Sequence, residues 1–309
     1  MATEQLPGSP AGAAAGVIHD IGYRTYDGPR LRRSQIVLAL CWHSLRSAFG
    51  IRRGAKAKIV PVITFAIMCA PAVINAVVMA LGRSHTRIVN YDTYVPQLRV
   101  LVLLIFIAAQ APELVARDLR SRVLPLYFAR PIRRYDYPLA KYGAFVLALL
   151  AMIDIPVLLL YVGTIMQVHS GGAVWAQTRA AIPGLLVGLM WAVVLAAVGL
   201  ALACVSGRRA FSTGSVAIFL FLTWTLAGVL TRIVESTAPP GVPPPAARLF
   251  GLISPYTVLD GVREWLGGTN VGIVPQPRGY GVAYGLMLLV FLGVSLTALI
   301  ARYSSASVA

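Results

Sequence analysis

Six apolar runs dominate this chain, each long enough or nearly long enough to cross a bilayer: Ile59 to Leu81, Val100 to Ala116, Tyr142 to Met166, Ala181 to Cys204, Phe211 to Val234 and Tyr280 to Ala301. A spanning helix needs about 20 apolar residues. Hydrocarbon offers the backbone no hydrogen bonds, so such runs must close their own as helices. The expected fold class is therefore an all-α membrane protein with six transmembrane helices. Composition agrees, with 58% hydrophobic and only 12% charged residues, about half the roughly 25% charged residues usual for a soluble domain. The second run is the shortest and carries Gln110 and Glu113 near its end, so it is expected either to tilt little or to continue as a helix into the following loop.

A formal charge of +16 on a soluble scaffold would point to nucleic acid. The mean hydropathy of +0.74 excludes that scaffold, so no nucleic-acid partner is expected. The charge is topological instead. Of the 27 Lys and Arg, 19 fall in the connections on the N-terminal side of the membrane and eight in those on the other. By the positive-inside rule both termini are cytoplasmic, with anionic membrane lipid as one counter-surface. Arginine outnumbers lysine 24 to three beside much Ala and Gly, the bias of GC-rich codons, which points to a bacterial source and a multi-pass protein of the inner (plasma) membrane.

Outside the 59–309 transmembrane domain the chain reads in two pieces. Residues 1–28 are rich in Ala, Gly and Pro and are expected to be a largely flexible cytoplasmic tail. Residues 29–58 are expected to form an amphipathic helix too polar to span. Leu38, Trp42, Leu45 and Phe49 share one stripe, opposite Gln35, His43, Arg46 and Ser47. With basic residues at both ends it fits the membrane interface. The loop 235–279 on the outer side opens with five prolines between Pro239 and Pro245. Its stretch from Arg248 to Trp265 reads as one or two short helices broken at Pro255, dipping back into the membrane edge, capping a cavity or lying on the surface.

The chain lacks the motifs of the common membrane-associated chemistries. A P-loop needs Gly-Lys followed by Ser or Thr, and Lys56, Lys58 and Lys141 all follow Ala. Nucleophile elbows, Cys/His dyads and the Asp-rich motifs of membrane phosphotransferases are missing too. Neither the three cysteines nor the four histidines have metal-ligand spacing. No enzyme activity, catalytic residue, metal or cofactor is therefore assigned to this chain.

The inner loop 117–141 is the most informative segment. Glu113 with Arg117, and Asp118 with Arg122, are acid-first i,i+4 pairs that favour a helix running out of the second span. Pro125 and Pro131 end it. A topogenic loop needs only arginines, whereas Leu119, Leu124 and Tyr127 add an apolar and aromatic face beside Arg117, Arg120 and Arg122, the make-up of a docking surface for a cytoplasmic protein.

These features resemble the membrane (permease) subunit of bacterial type-2 ABC exporters. The resemblance rests on Arg117-Asp118, where a Glu is more usual at the acidic position, followed by Pro131-Ile132-Arg133-Arg134 and Lys141. It rests also on Gly22-Tyr23-Arg24-Thr25-Tyr26-Asp27-Gly28-Pro29-Arg30 ahead of the helix at 29–58, and on Ser254-Pro255-Tyr256 before the last span. It implies an interfacial elbow helix before six spans and a homodimer or heterodimer of permease subunits. It also implies two separate ATP-binding cassette ATPase subunits that carry ATP and Mg. Arg117, Asp118, Leu119, Arg120, Arg122, Leu124 and Tyr127 would then be the coupling helix. The alternative reading is a membrane anchor or scaffold of a sensory or assembly complex that transports nothing.

Asp154 stands about midway along the third span, followed by Ile155 and Pro156, and no other span carries a charge at a matching depth. An ionisable group there is costly unless paired or wet. Hydroxyls, water or the carbonyls freed by Pro156 are the expected partners, in a substrate path or in a structural hydrogen bond. Phe221 and Trp224, among Thr223 and Thr225 in the fifth span, are candidate path-lining residues, with lipid contact as the alternative. Gly184 with Gly188, and Gly281 with Gly285, have the spacing that lets helices approach closely. The charge asymmetry predicts that a cysteine placed at Ala306 is labelled from the cytoplasmic side only; labelling from outside would overturn the topology.

Overall fold

The computed structural model describes residues 28, 32–82, 89–94, 96–120, 132–168, 170–206, 208–237, 239, 244–268, 272–273, 275, 277 and 279–306, without the side chains of 96, 97, 117, 119 and 306. By contacts the chain divides into Met1–Leu31 and Arg32–Ala309. Apart from Gly28, the first unit, including nearly all of the tail expected at 1–28, lies outside the described residues.

All regular structure among the described residues is α-helical. It comprises α1 (Arg33–Ala48), α2 (Ala55–Ala80), α3 (Pro96–Arg120), α4 (Asp136–Ile165), α5 (Gly171–Ala203), α6 (Arg209–Ser236), α7 (Pro245–Phe250), α8 (Pro255–Trp265) and α9 (Gly281–Ala306). Six of these, α2 to α6 and α9, are long and apolar enough to cross a membrane, so the chain is a multi-pass membrane protein. Prolines lie inside α2, α3, α4 and α5 without ending them, as membrane helices tolerate. The second span continues as helix through Arg120, one of the two outcomes expected from its polar end.

Burial separates the inside of the bundle from its outside. The most apolar window is 72% buried in α3 and 56% in α5, but 28% in α2 and α6 and 17% in α9. The peripheral helices therefore turn Ile, Leu and Val outward, as Ile59, Val62, Ile63 and Ile74 of α2 do. In the middle, Phe106 of α3 stacks on Phe145 of α4, their rings 6.2 Å apart.

The helix expected over 29–58 is shorter. α1 covers 33–48 rather than 29–58, and α2 starts at Ala55, because residues 49–54 form a tight turn. Gly50 (φ +69°) and Arg52 (φ +66°) adopt left-handed backbone there. A Cβ at Gly50 would stand 2.6 Å from the carbonyl oxygen of Ala57, so only glycine lets this turn close on the first turn of α2. The expected apolar stripe is also divided. α1 packs on α4 and α3, burying Leu40, Ser44 and Ala48, while Leu38 and Trp42 are exposed on the outside.

The two short helices expected on either side of a break at Pro255 are α7 and α8, and Pro255 opens the second. Ser254 caps α8 through the amide of Tyr256, and Pro255 takes the first helical position, where its missing N–H costs nothing. Most of α8 is buried, which decides against a surface loop. The Tyr256 ring packs 5.7 Å from that of Trp191, about 30 Å along α5 from its start at Gly171. The α7–α8 segment thus reaches deep between the long helices. Tyr284 of α9 holds it by donating its hydroxyl to the carbonyl of Arg248.

Glycine makes the closest approaches. A Cβ at Gly184 would lie 2.8 Å from the Tyr91 carbonyl oxygen, and one at Gly281 would lie 2.1 Å from the Trp265 ring. The second glycine pair thus serves α8 rather than another span. Because the obstacle at Gly184 is backbone, Gly184→Ala is expected to destabilise the purified protein by about 1–3 kcal/mol, read as a lowered thermal midpoint in detergent. An unchanged midpoint would mean that the α5 contact is loose.

Candidate functional site

Three acids at one end of the bundle each take a cation from another helix. Residues five apart on a helix point about 140° apart, so Glu113 and Asp118 of α3 face different neighbours. Glu113 meets Arg53, from the α1–α2 turn, at 2.5 Å and Arg209, at the start of α6, at 2.6 Å. Asp118 meets Lys141 of α4 at 2.7 Å and accepts a 2.6 Å hydrogen bond from the Tyr137 hydroxyl. Asp136, the first residue of α4, accepts from Nε and Nη2 of Arg33 at 2.7 and 2.6 Å and from the Arg133 amide at 2.8 Å. Arg133 and Arg33 also surround the Tyr135 phenol and pull its pKa below the ordinary value.

These contacts form the base of the loop that joins α3 to α4. The side chains of Asp118 and Lys141 are only 19% and 8% exposed, so their attraction is poorly screened. Tyr137 is buried against Tyr303 near the end of α9, with rings 5.5 Å apart, and brings a third helix to the same place. Arg302 beside it donates to the carbonyl of Cys204 and so caps α5. The start of α1, the end of α3, the start of α4 and the end of α9 are therefore joined at this base.

The expected docking residues divide accordingly. Asp118 sits in this base and Arg120 is exposed at the end of α3. The side chains of Arg117 and Leu119, and all of Arg122, Leu124 and Tyr127, lie outside the described residues. The basic partners expected from sequence, Arg117 and Arg122, have side chains outside the described residues. The carboxylate of Glu113 is engaged by Arg53 and Arg209, and that of Asp118 by Lys141.

The substrate-path candidates are not brought together. Asp154 lies against α5, where a Cβ on Gly188 would be 1.8 Å from Asp154 Oδ1. That oxygen is buried with no hydrogen-bond partner among the described residues, so the expected hydroxyl or carbonyl partner is missing there. Phe221 is exposed on α6, its ring 6.5 Å from that of the half-buried Trp224. Thr223 donates to the Phe219 carbonyl of its own helix.

A further cluster was not foreseen. Arg99, counted in sequence among the outer loop charges, lies inside α3 and is 2% exposed. Its guanidinium stacks 3.9 Å from the Trp191 ring centroid and is 3.5 Å from Asp260 of α8. Arg263, also 2% exposed, has Asp260 and Glu264 at 3.5 Å and Asp92 at 3.7 Å. Burial raises the pKa of Asp260, while Arg99 and Arg263 pull it down. Trp191 is one turn along α5 from Gly188, about 4.5 Å in rise, so Arg99 and Asp154 meet neighbouring turns of the same helix. The available signal was Asp260 and Arg263 at i,i+3 amid Val258, Leu259 and Val262.

No protein-family model matches the chain, and none of the curated proteins matches it. The candidate site therefore rests on its own geometry. Lys141→Met is expected to cost about 3 kcal/mol, because it leaves the Asp118 carboxylate largely buried without its cation. Pairing it with Asp118→Asn should recover part of that loss, and Arg33→Met, at a more exposed pair, should lose less. Thermal unfolding of the variants in one detergent reads all three, and equal midpoints for Lys141→Met and wild type would remove the clamp.

Proposed function

We propose that this chain is the transmembrane subunit of a bacterial ATP-binding cassette exporter, working as a dimer of such subunits with two separate ATPase subunits. One observation carries the reading: the two ends of the loop between α3 and α4 are pinned together by Asp118, Lys141 and Tyr137. A force on the loop then moves α3 and α4 as one body, and Arg33–Asp136 passes it to α1. Such a joint is what a membrane subunit without its own phosphate-binding loop needs in order to use ATP hydrolysed elsewhere.

In this reading the end bearing α1 is cytoplasmic, both termini lie there, and α1 is the elbow helix at the inner face of the plasma membrane. Its exposed Leu38 and Trp42 then meet lipid, with Arg46 over the Trp42 ring at 4.7 Å beside the headgroups. The segment from Asp118 to Tyr127 docks the ATPase, and nucleotide binding by that partner switches the bundle between inward and outward access. ATP and Mg belong to the partner.

Affinity purification of the full chain from its native membranes in mild detergent tests the proposal. A P-loop ATPase should co-purify in stoichiometric amount, and Leu124→Asp should release it without changing the thermal midpoint of the permease. Isolation of the chain without any ATPase would discard the exporter in favour of an anchor or scaffold.

A further inference from the structure

We infer that the cavity at the start of α2 is a binding site for a phosphate group, with an anionic phospholipid headgroup as its source. The cavity holds about 600 Å³ between the start of α2, α3 and the start of α6. Arg53, Lys56, Gln110, Glu113 and Arg209 supply its polar lining. Three cations against one carboxylate leave it positive, and among the described residues Lys56 makes no ion pair.

Two independent features point to an anion. First, α2 begins inside the cavity with Gly54 as its N-cap, which has no side chain to bond the free amides, and without an acid in its first turn. The partial positive charge of a helix N-terminus disfavours cations beside it, yet Lys56 lies in that first turn and Arg53 just before it. A negative ligand relieves the conflict and accepts the amides. Second, Gln110 of α3 is 4% exposed, lines the cavity, and leaves its side-chain oxygen without a hydrogen-bond partner. Gln110 thus brings an unpaired amide to the cavity wall, whose N–H can donate to a phosphate oxygen.

The mouth favours a lipid over a free ion. Just beyond the first turn of α2, Ile59, Val62 and Ile63 are 52%, 61% and 52% exposed, a surface for acyl chains directly under the charged pocket. The clustered Arg and Lys suit a headgroup phosphate through charge-assisted hydrogen bonds. The assignment is independent of the transport proposal.

The test uses the full chain in an uncharged detergent, with phosphatidylglycerol, phosphatidylcholine or inorganic phosphate added, read by retained lipid in native mass spectrometry and by thermal shift. Phosphatidylglycerol should be retained over phosphatidylcholine, and the Lys56→Gln/Gln110→Leu variant should bind it about tenfold more weakly. That variant touches no ion pair among the described residues, so its midpoint without lipid should stay at the wild-type value or rise. Equal protection by inorganic phosphate, lost in the variant, would keep the phosphate site and assign it to a soluble ion. No response to either probe, or a response undiminished in the variant, would overturn the inference.

Discussion

In a bundle that is mostly hydrocarbon-facing, a carboxylate out of reach of water must meet a cation, and this requirement organises the end of the molecule that bears α1. Glu113, Asp118 and Asp136 could each have been satisfied locally. Instead each takes a side chain from a different element: the α1–α2 turn and α6, then α4, then α1. Breaking a buried pair costs several kcal/mol, more than an exposed pair contributes. The relative placement of these helices is therefore fixed by charge as well as by packing, and a movement at the α3–α4 loop has a stiff route into the bundle.

The opposite half of the bundle solves the same problem differently. Arg99 and Arg263 are buried among Asp92, Asp260 and Glu264 at 3.5–3.7 Å, longer than the roughly 2.8 Å of a tight charge-assisted bond. Trp191 lends its ring face to Arg99. These contacts hold α8 far inside the protein, where an isolated charge would be expensive. Packing cooperates with them, since Gly261 and Gly281 give room to Tyr284 and Trp265, and Gly184 to the backbone of Tyr91. One end is clamped by short pairs at the roots of the helices, and the other half by a looser network around an inserted helix.

Much of this was legible one residue at a time. The six apolar runs place the long helices, although α5 starts at Gly171 rather than Ala181, because the Gln177 and Arg179 that seemed to interrupt it lie within the helix. Asp118 and Lys141 stood out in sequence, yet nothing there joined them. They are far apart along the chain, and a salt bridge between helices has no periodicity to read. Arg99 was misplaced for a related reason. It stands immediately before Val100, where the apolar run begins, and the cost of burying an arginine is offset by partners from α8 and a tryptophan from α5. Asp154, Phe221 and Trp224 are not brought together, since Asp154 turns to α5 while Phe221 faces outward.

The sequence by itself determined that the chain crosses a membrane, how many times, and where charge concentrates, because hydrophobic length and the exclusion of Arg and Lys from apolar runs are local properties. Only the tertiary structure decided which charges are joined: Glu113 to Arg53 and Arg209, Asp118 to Lys141, and Arg99 to Asp260. It also gathered the uncapped start of α2, three cations and Gln110 around one cavity. The strength of an ion pair depends on distance and on the water excluded around it, and neither exists until the helices have packed.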